Sequence, residues 1–418
     1  MEIIDISTSV CDEVATVRVC ARPRGAMECF ELWYRFEGLD QPLDGVNEAA
    51  AAALVVPCMV EGEPLSMPGR VSPVFLANIA KAQSVLAGWY DDLHPVEVRC
   101  SGQDDAPPRP ADGVICCFSA GVDSWYSLLK HEPRVTHLLF VRGFDIGLDN
   151  DVLWQATRDN AATVARRLGK RLITCETNLR DVCDKRRGGW GKTFVGDFWG
   201  ERLHGAAIAS VALLLRRTIG ELIVPATHSY AQVKPWGSSP QLDPLWSDGY
   251  LEITHDGCEV DRVAKVRRLA ASDIALATLR VCYGDTPDIN CGRCEKCLRT
   301  LMALRLCGAV GRAKTFPRAV ALSEIHALIV PPHVRHHYVA LQEEARRVGD
   351  SEVVEATEIV LRERLSAAQT AARLRRALRG TVLGKIVRRA KRAWAAAAIP
   401  PLEPHRDGGA GGTTPSIG

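Results

Sequence analysis

Between positions 113 and 226 the spacing of apolar residues changes repeatedly. Residues 114–118, Val-Ile-Cys-Cys-Phe, form an unbroken apolar run of strand-forming type, which suits a strand covered on both faces. From Asp123 the spacing turns helical, with Trp125, Leu128 and Leu129 recurring on one side. The alternation then repeats: strand over 136–141, helix over 151–168, strand over 171–176, helix over 201–217 and strand over 221–226. This predicts an α/β fold, a parallel doubly wound sheet with helices on both faces and right-handed crossovers. Ligands of such sheets lie at the carboxyl ends of the strands. One crevice should therefore gather the turn after Phe118, the Arg142-Gly143-Phe144-Asp145 segment, Thr177-Asn178 and the Thr227-His228-Ser229-Tyr230 segment.

Before this region the pattern differs. Phe30, Leu32, Tyr34 and Phe36 alternate with Glu31, Trp33 and Arg35, the period of a half-buried strand, and 15–20 and 96–100 read as further strands. Ser72-Pro73 is a helix start, a capping residue followed by proline in the first turn. Residues 1–105 thus form an N-terminal α+β module without a catalytic constellation, and the polar, proline-rich stretch 101–112 marks its boundary. Residues 106–270 form the α/β domain, 271–310 a cysteine-rich segment, 311–365 a helical segment and 366–418 a basic tail. The longest apolar runs, near 49–60 and 205–215, fall short of the ~18 residues of a membrane span and are expected in the interior.

The sharpest chemistry sits where the strand ending at Phe118 becomes a helix: Ser119-Ala120-Gly121-Val122-Asp123-Ser124. A helix start presents N–H groups and the positive end of the helix dipole, so it favours an anion. The Ser119 and Ser124 hydroxyls add donors, Gly121 permits close backbone approach, and Asp123 either caps the helix or holds Mg²⁺. The basic, glycine-rich stretch 185–192 is either a lid that touches triphosphate or a solvated loop. It is not a Walker motif, because Arg186 stands where a glycine is required ahead of Gly191-Lys192-Thr193. The long segment 227–247 offers His228, Tyr230, Lys234, Trp236 and Asp243 as candidate substrate contacts.

The chain has fifteen cysteines and an acidic start without the apolar core of a signal peptide, which points to a reducing, cytoplasmic setting. Cys282, Cys291, Cys294 and Cys297 are spaced C-x8-C-x2-C-x2-C. Four thiolates are the complement of a closed, structural tetrahedral Zn²⁺ site, with an iron–sulfur cluster or unliganded thiols as alternatives. Although the net charge is only +2, residues 364–418 hold eleven Lys/Arg against two acids. Leu374, Leu378, Val382 and Ile386 trace an apolar stripe there, so a basic amphipathic helix could lie on an anionic membrane, grip RNA, dock on a partner or pack on its own domain.

The Ser119–Ser124 stretch resembles the Ser-Gly-Gly-x-Asp-Ser loop of the N-type ATP pyrophosphatases, with Ala120 replacing the first glycine. Together with the downstream cysteines it is most similar to 7-cyano-7-deazaguanine synthase-like proteins, over about residues 113 to 305. The resemblance implies an ATP- and Mg²⁺-dependent ligase. It would adenylate a carboxylate or amide oxygen and release pyrophosphate, and ammonia or a nucleophile from a separate donor would then displace AMP. The acceptor would be a small molecule or carrier-bound. Carried over by position, Ser119, Gly121, Asp123 and Ser124 would bind ATP phosphates and the four cysteines would hold Zn²⁺; Ala120, Val122 and Arg142 are expected as further ATP contacts, and Ser119, Asp123 and Lys192 as catalytic. The alternatives are a tRNA-thiolating enzyme of the same superfamily and a non-catalytic nucleotide-binding regulator. If position 120 takes a positive φ, its methyl group costs about 1 kcal/mol.

Overall fold

The alternation at 30–36 sorts as its period requires: Leu32, Tyr34 and Phe36 are buried, while Glu31 and Arg35 are exposed. The computed structural model describes residues 1–104, 109–184, 197–282, 289–317, 324–325, 328 and 330–362. Twelve strands occur among them. They are β1 (Glu2–Cys11), β2 (Val14–Arg22), β3 (Phe30–Glu37), β4 (Leu65–Ser66), β5 (Arg70–Val71), β6 (Val98–Arg99), β7 (Gly102–Gln103), β8 (Gly113–Cys117), β9 (His137–Arg142), β10 (Arg171–Thr177), β11 (Ile219–Pro225) and β12 (Glu252–Asp256). The α-helices are α1 (Val46–Glu61), α2 (Pro73–Trp89), α3 (Val122–His131), α4 (Asp151–Arg167), α5 (Leu179–Cys183), α6 (His204–Leu213), α7 (Arg262–Ala270), α8 (Asp273–Thr278), α9 (Glu295–Leu306), α10 (Arg335–Val348) and α11 (Ser351–Leu361).

Ten strands form one mostly parallel sheet in the order β12-β11-β8-β9-β10-β3-β2-β1-β4-β6, and β5 pairs with β7 beside it. From β12 to β10 all pairings are parallel. The chain runs from β8 outward through β9 to β10, then returns to lay β11 and β12 on the other side of β8. The loops that leave β8 and β11 therefore diverge, which opens a crevice at their carboxyl ends. The N-terminal strands join this same sheet: β3 pairs antiparallel with β10, placing Glu37 opposite Thr174, and β2 and β1 continue the meander.

Successive residues of the central strands point to opposite faces and enter separate cores. Ile115, Leu139 and Leu222 pack with α1 and α6, whereas Cys116, Leu138 and Ile223 pack with α3, α4, α7 and α9. The first core absorbs both long apolar runs, since residues 49–59 of α1 and 205–213 of α6 are buried throughout. On the other face, α10 packs against α7 and α9, bringing the C-terminal helical segment beside the crevice.

Three local features follow their residues closely. Ser72 caps α2 by accepting the Phe75 N–H, ahead of Pro73 at the first helical position. Asn150 caps α4 and Asp261 caps α7 in the same way. The helix expected over 201–217 is divided: a π-turn, Trp199–Leu203, precedes α6. Strand β12 escaped the pattern reading, because its Glu-Ile-Thr-His-Asp sequence carries one apolar residue. Residues 1–361 form one compact unit. No helix among the described residues is long and apolar enough to cross a membrane. The stretch 185–192, with Lys192, and the basic tail beyond 362 lie outside the described residues.

Candidate active site

The chain leaves β8 through Phe118 and Ser119 and reverses at Ala120, whose φ is +58°. This left-handed turn is the conformation that glycine takes without penalty, so the alanine stores about 1 kcal/mol of strain. The Ala120 carbonyl accepts the Arg280 N–H at 2.8 Å, closing the turn onto the segment after α8. Gly121 is the N-cap of α3, and a Cβ there would meet Ser119 Oγ at 3.2 Å. Ser124 Oγ donates back to the Gly121 carbonyl at 3.1 Å. The first N–H groups of α3, which have no partner within the helix, thus begin beside the Ser119 hydroxyl.

Asp123 does not cap this helix: no side chain bonds at the Gly121 cap. Its carboxylate is held by two cations from α7. Lys265 Nζ lies 3.0 Å from Oδ1 and Arg262 Nη1 lies 3.1 Å from Oδ2. Residues 262 and 265 are one helical turn apart and so reach the same target. Lys265 also donates to the Ala226 carbonyl at 2.5 Å, which ties α7 to the end of β11. Burial alone would raise the Asp123 carboxyl, but Lys265 and Arg262 outweigh it and hold the group below the usual carboxylate range.

These residues face a cavity of about 610 Å³, within the ~300–1,000 Å³ of small-molecule sites. Its wall includes Ser119, Gly121, Val122, Asp123, Ser124 and Trp236, as the sequence reading expected, together with Arg262, Arg280 and Lys296, which it did not single out. Asp145 and Asp197 supply further carboxylates to the same wall. Lys296, on the first turn of α9, is pushed down to about 7 by burial and then by the neighbouring Arg262.

Other expected residues take different places. Ala120 is buried behind the turn. Arg142 does not line the cavity; it pairs with Asp151 and Glu176 and donates to the Leu148 carbonyl, so its charge holds the β9 end to α4 and β10. Asp243 is 1% exposed and bonds Ser238 Oγ and His255 Nδ1, each at 2.7 Å, a structural triad in place of the expected substrate contact. Burial opposes charge on His255, yet the Asp243 carboxylate and Cys258 outweigh it and raise the imidazole to about 9. Tyr230 is 67% exposed. His228 and Lys234 are half-buried and both lean on Trp236, at 6.0 Å between ring centroids and 4.7 Å from ammonium to ring.

The segment 227–247 is fixed to the π-turn by glycines. Gly237 N–H bonds the Gly200 carbonyl at 3.0 Å, and Gly205 N–H bonds the Gly237 carbonyl at 2.9 Å. A Cβ on Gly200 would sit 2.6 Å from the Trp236 ring, so the close approach requires glycine.

At the far wall the four cysteines converge. Their Sγ atoms all lie within 4.8 Å of one another, with Cys282 and Cys294 3.8 Å apart and Cys291 and Cys297 3.9 Å apart. A tetrahedron of bonds of about 2.3 Å has edges of roughly 3.8 Å, so the group could hold a metal ion and is compatible with zinc. Gly292, at φ +69°, turns the chain between ligands as its position suggested. The Arg293 and Cys294 N–H groups point at Cys291 Sγ, at 3.5 and 3.4 Å. A hydrogen bond from Cys297 is the main cause that draws the Cys294 thiol down to about 5, so one member of the set is already disposed toward thiolate.

Asn290 connects this cluster to the cavity and was missed in the sequence. It is fully buried; its Oδ1 accepts the Val281 and Cys282 N–H groups at 2.8 and 3.2 Å, and its Nδ2 donates to the Leu279 carbonyl at 2.7 Å. The cysteine cluster, the Arg280 backbone and the strained turn are thus joined in one chain of contacts. Comparison of the chain with protein-family models, curated proteins and solved structures found no match.

Proposed function

We propose that this chain is an ATP-dependent synthetase of the N-type ATP pyrophosphatase kind, one that adenylates a carboxylate or amide oxygen. The observation that carries the reading is the positive-φ turn after the central strand β8, set where the strand order reverses and faced by Asp123 and its α7 cations. The acceptor oxygen attacks the α-phosphorus, the bond to the bridging oxygen breaks, and pyrophosphate leaves with that electron pair. Ammonia or another nucleophile then displaces AMP from the activated acceptor.

The residues divide this work by position. Ser119 Oγ and the first N–H groups of α3 donate to the departing pyrophosphate, whose charge grows as the bond breaks, so their contribution is larger in the transition state than in bound ATP. Arg262, Arg280 and Lys296, which line the same cavity, would neutralise the phosphates. Asp123 keeps Arg262 and Lys265 in place. A magnesium ion carried in on phosphate oxygens typically takes one or two protein carboxylates. Asp123, Asp145 and Asp197 on one wall suit that demand, and the ion would add charge neutralisation at the phosphates. Zinc in the four-thiolate site would be structural, since such a shell leaves no open position. The site's cytoplasmic setting and the nature of the nucleophile belong to the same proposal.

Incubation with ATP, Mg²⁺, ammonium and a pool of carboxylate acceptors tests the reading. AMP and pyrophosphate are expected, lost in Ser119→Ala and Asp123→Asn. ADP and phosphate as products would refute it, and ATP that binds but is never cleaved would favour the regulatory alternative.

A further inference from the structure

Beside the nucleotide cavity lies a second cluster of basic groups that the adenylation chemistry does not use. It is built from two distant parts of the chain, the 227–247 segment and the start of α10. His228 and His336 have ring centroids 6.3 Å apart, and the His337 ring lies tilted against His336 at 3.9 Å. Lys234 sits over the Trp236 ring, and Trp236 also lines the nucleotide cavity. Arg299 of α9 belongs to the same neighbourhood: its charge acts on both His336 and His337.

Three side chains of this cluster carry buried polar atoms without a hydrogen-bond partner in the structure. These are His228 Nδ1, His336 Nε2 and Arg299 Nη1. Arg299 is 3% exposed, and although its Nε lies 3.1 Å from a Glu295 oxygen, neither Nε nor Nη1 has a hydrogen-bond partner. A buried polar atom without a partner is destabilising, and three neighbouring side chains that each carry one mark a missing partner. Arg299 Nη1 can only donate, and an imidazole nitrogen donates in one tautomer. A group of oxygen acceptors satisfies all three at once. Burial, then Lys234 and His336, hold His228 down to about 4, so its ring is neutral near pH 7 and one of its nitrogens carries a proton to donate.

We infer that His228, Lys234, His336 and Arg299 form a subsite for an anionic oxygen group, carboxylate or phosphate, carried by the acceptor at a distance from the oxygen that is adenylated. The term acceptor rests on the synthetase reading; the anion site rests on the geometry above. Trp236 lines the nucleotide cavity and touches both His228 and Lys234, so the part of the acceptor that joins anion to reacting oxygen would run along that ring. The C-terminal helical segment thereby contributes to substrate choice through α10.

The test uses the full chain with inorganic pyrophosphate present to fill the nucleotide cavity, and reads ¹⁹F line broadening of three probes. These are 4-fluorobenzoate, its neutral isostere 4-fluorobenzamide, and monofluorophosphate. Saturable broadening of one of the anions but not of the amide is expected, weakened about tenfold in Lys234→Met and in His336→Ala, the loss of one charge-assisted bond. Benzoate as the better anion assigns a carboxylate, and monofluorophosphate as the better one assigns a phosphate. The inference is overturned if neither anion binds, if the amide binds as well as the benzoate, or if both variants bind unchanged. ATP affinity by calorimetry in parallel samples without pyrophosphate separates the two readings. Anion binding without ATP binding sinks the synthetase reading alone, and ATP binding without anion binding sinks the subsite alone.

Discussion

The turn after β8 and the cysteine loop before α9 are built alike and held differently. Each is a short segment with a residue at positive φ, Ala120 in one and Gly292 in the other, and each delivers the chain into a helix whose first turn meets the cavity. The first is held by main chain: a carbonyl bonded to the Arg280 N–H, a backbone cap at Gly121 and strands on either side. Among the described residues no strand flanks the second, which is held by side chains, four thiols and the buried Asn290 amide. A loop anchored through its backbone tolerates a poor residue such as Ala120. A loop anchored through side chains fails when one is removed.

That contrast can be broken at its strong end first. Cys294→Ser should lose the metal and destabilise the protein by roughly 5 kcal/mol or more, since structural zinc contributes on the order of 10 kcal/mol of apparent binding energy. Metal analysis is expected to find about one zinc per chain of a colourless protein. Iron and sulfide in a brown protein would overturn this.

Asp123→Asn comes next. It leaves the Asp123 partners, Lys265 and Arg262, without a counter-charge, so turnover should fall about 100-fold. ATP affinity should hold or tighten, because the freed Arg262 lines the cavity that the phosphates would enter. Parallel loss of affinity and turnover would show that Asp123 serves binding instead.

A third test lies behind the crevice, at His255. Its folded value of about 9 stands above the unfolded value near 6.5. The stabilisation is therefore complete below pH 6.5 and lost as pH rises through 9, amounting to about 3 kcal/mol. Urea unfolding at pH 6 and pH 9.5 should show the loss in the wild type and much less of it in His255→Gln. Equal slopes in both proteins would remove His255 as the cause.

The smallest effect is at the tolerant end. Ala120→Gly should relieve the strained turn, offset by the extra freedom of glycine in the unfolded chain, for a net change within about 1 kcal/mol. A destabilisation well beyond that would mean the buried methyl packs better than the turn suffers.

The legible parts of this fold were those where a residue's own chemistry decides its place. The unbroken run before Ser119, the alternation at 30–36, the Ser72-Pro73 cap and the four cysteine spacings all act within a few residues. Arg262 and Lys265 were not legible. On a helix one turn apart they look like any solvated pair, and only the packing of α7 on α3 turns them onto Asp123. Asn290 was hidden for the same reason, since a polar residue near glycine and cysteine reads as a turn former and not as a fully buried anchor. Arg142 and Asp243 erred the other way. Both stand at strand ends or loops where ligands gather, but nearby partners of opposite charge already occupy them.

The pairing of β3 with β10 has a consequence for the order in which the chain is made. Residues 30–37 emerge from the ribosome about 140 residues before their partners at 171–177, a wait on the order of ten seconds at ordinary rates of synthesis. For that interval the β1–β3 meander has an open edge, and edges of this kind recruit other strands. The side chains along it are suited to waiting: Glu31, Arg35 and Glu37 place charge at alternate positions. A 1–150 fragment should accordingly stay soluble and be cut by protease near residues 30–37, where the full chain is protected. When β10 arrives, Asn178 closes the seam, its Oδ1 accepting the Trp33 N–H at 2.9 Å and its Nδ2 donating to the Glu31 carbonyl at 2.8 Å. The amide that ends the strand is the latch that tells the first hundred residues their partner has been translated.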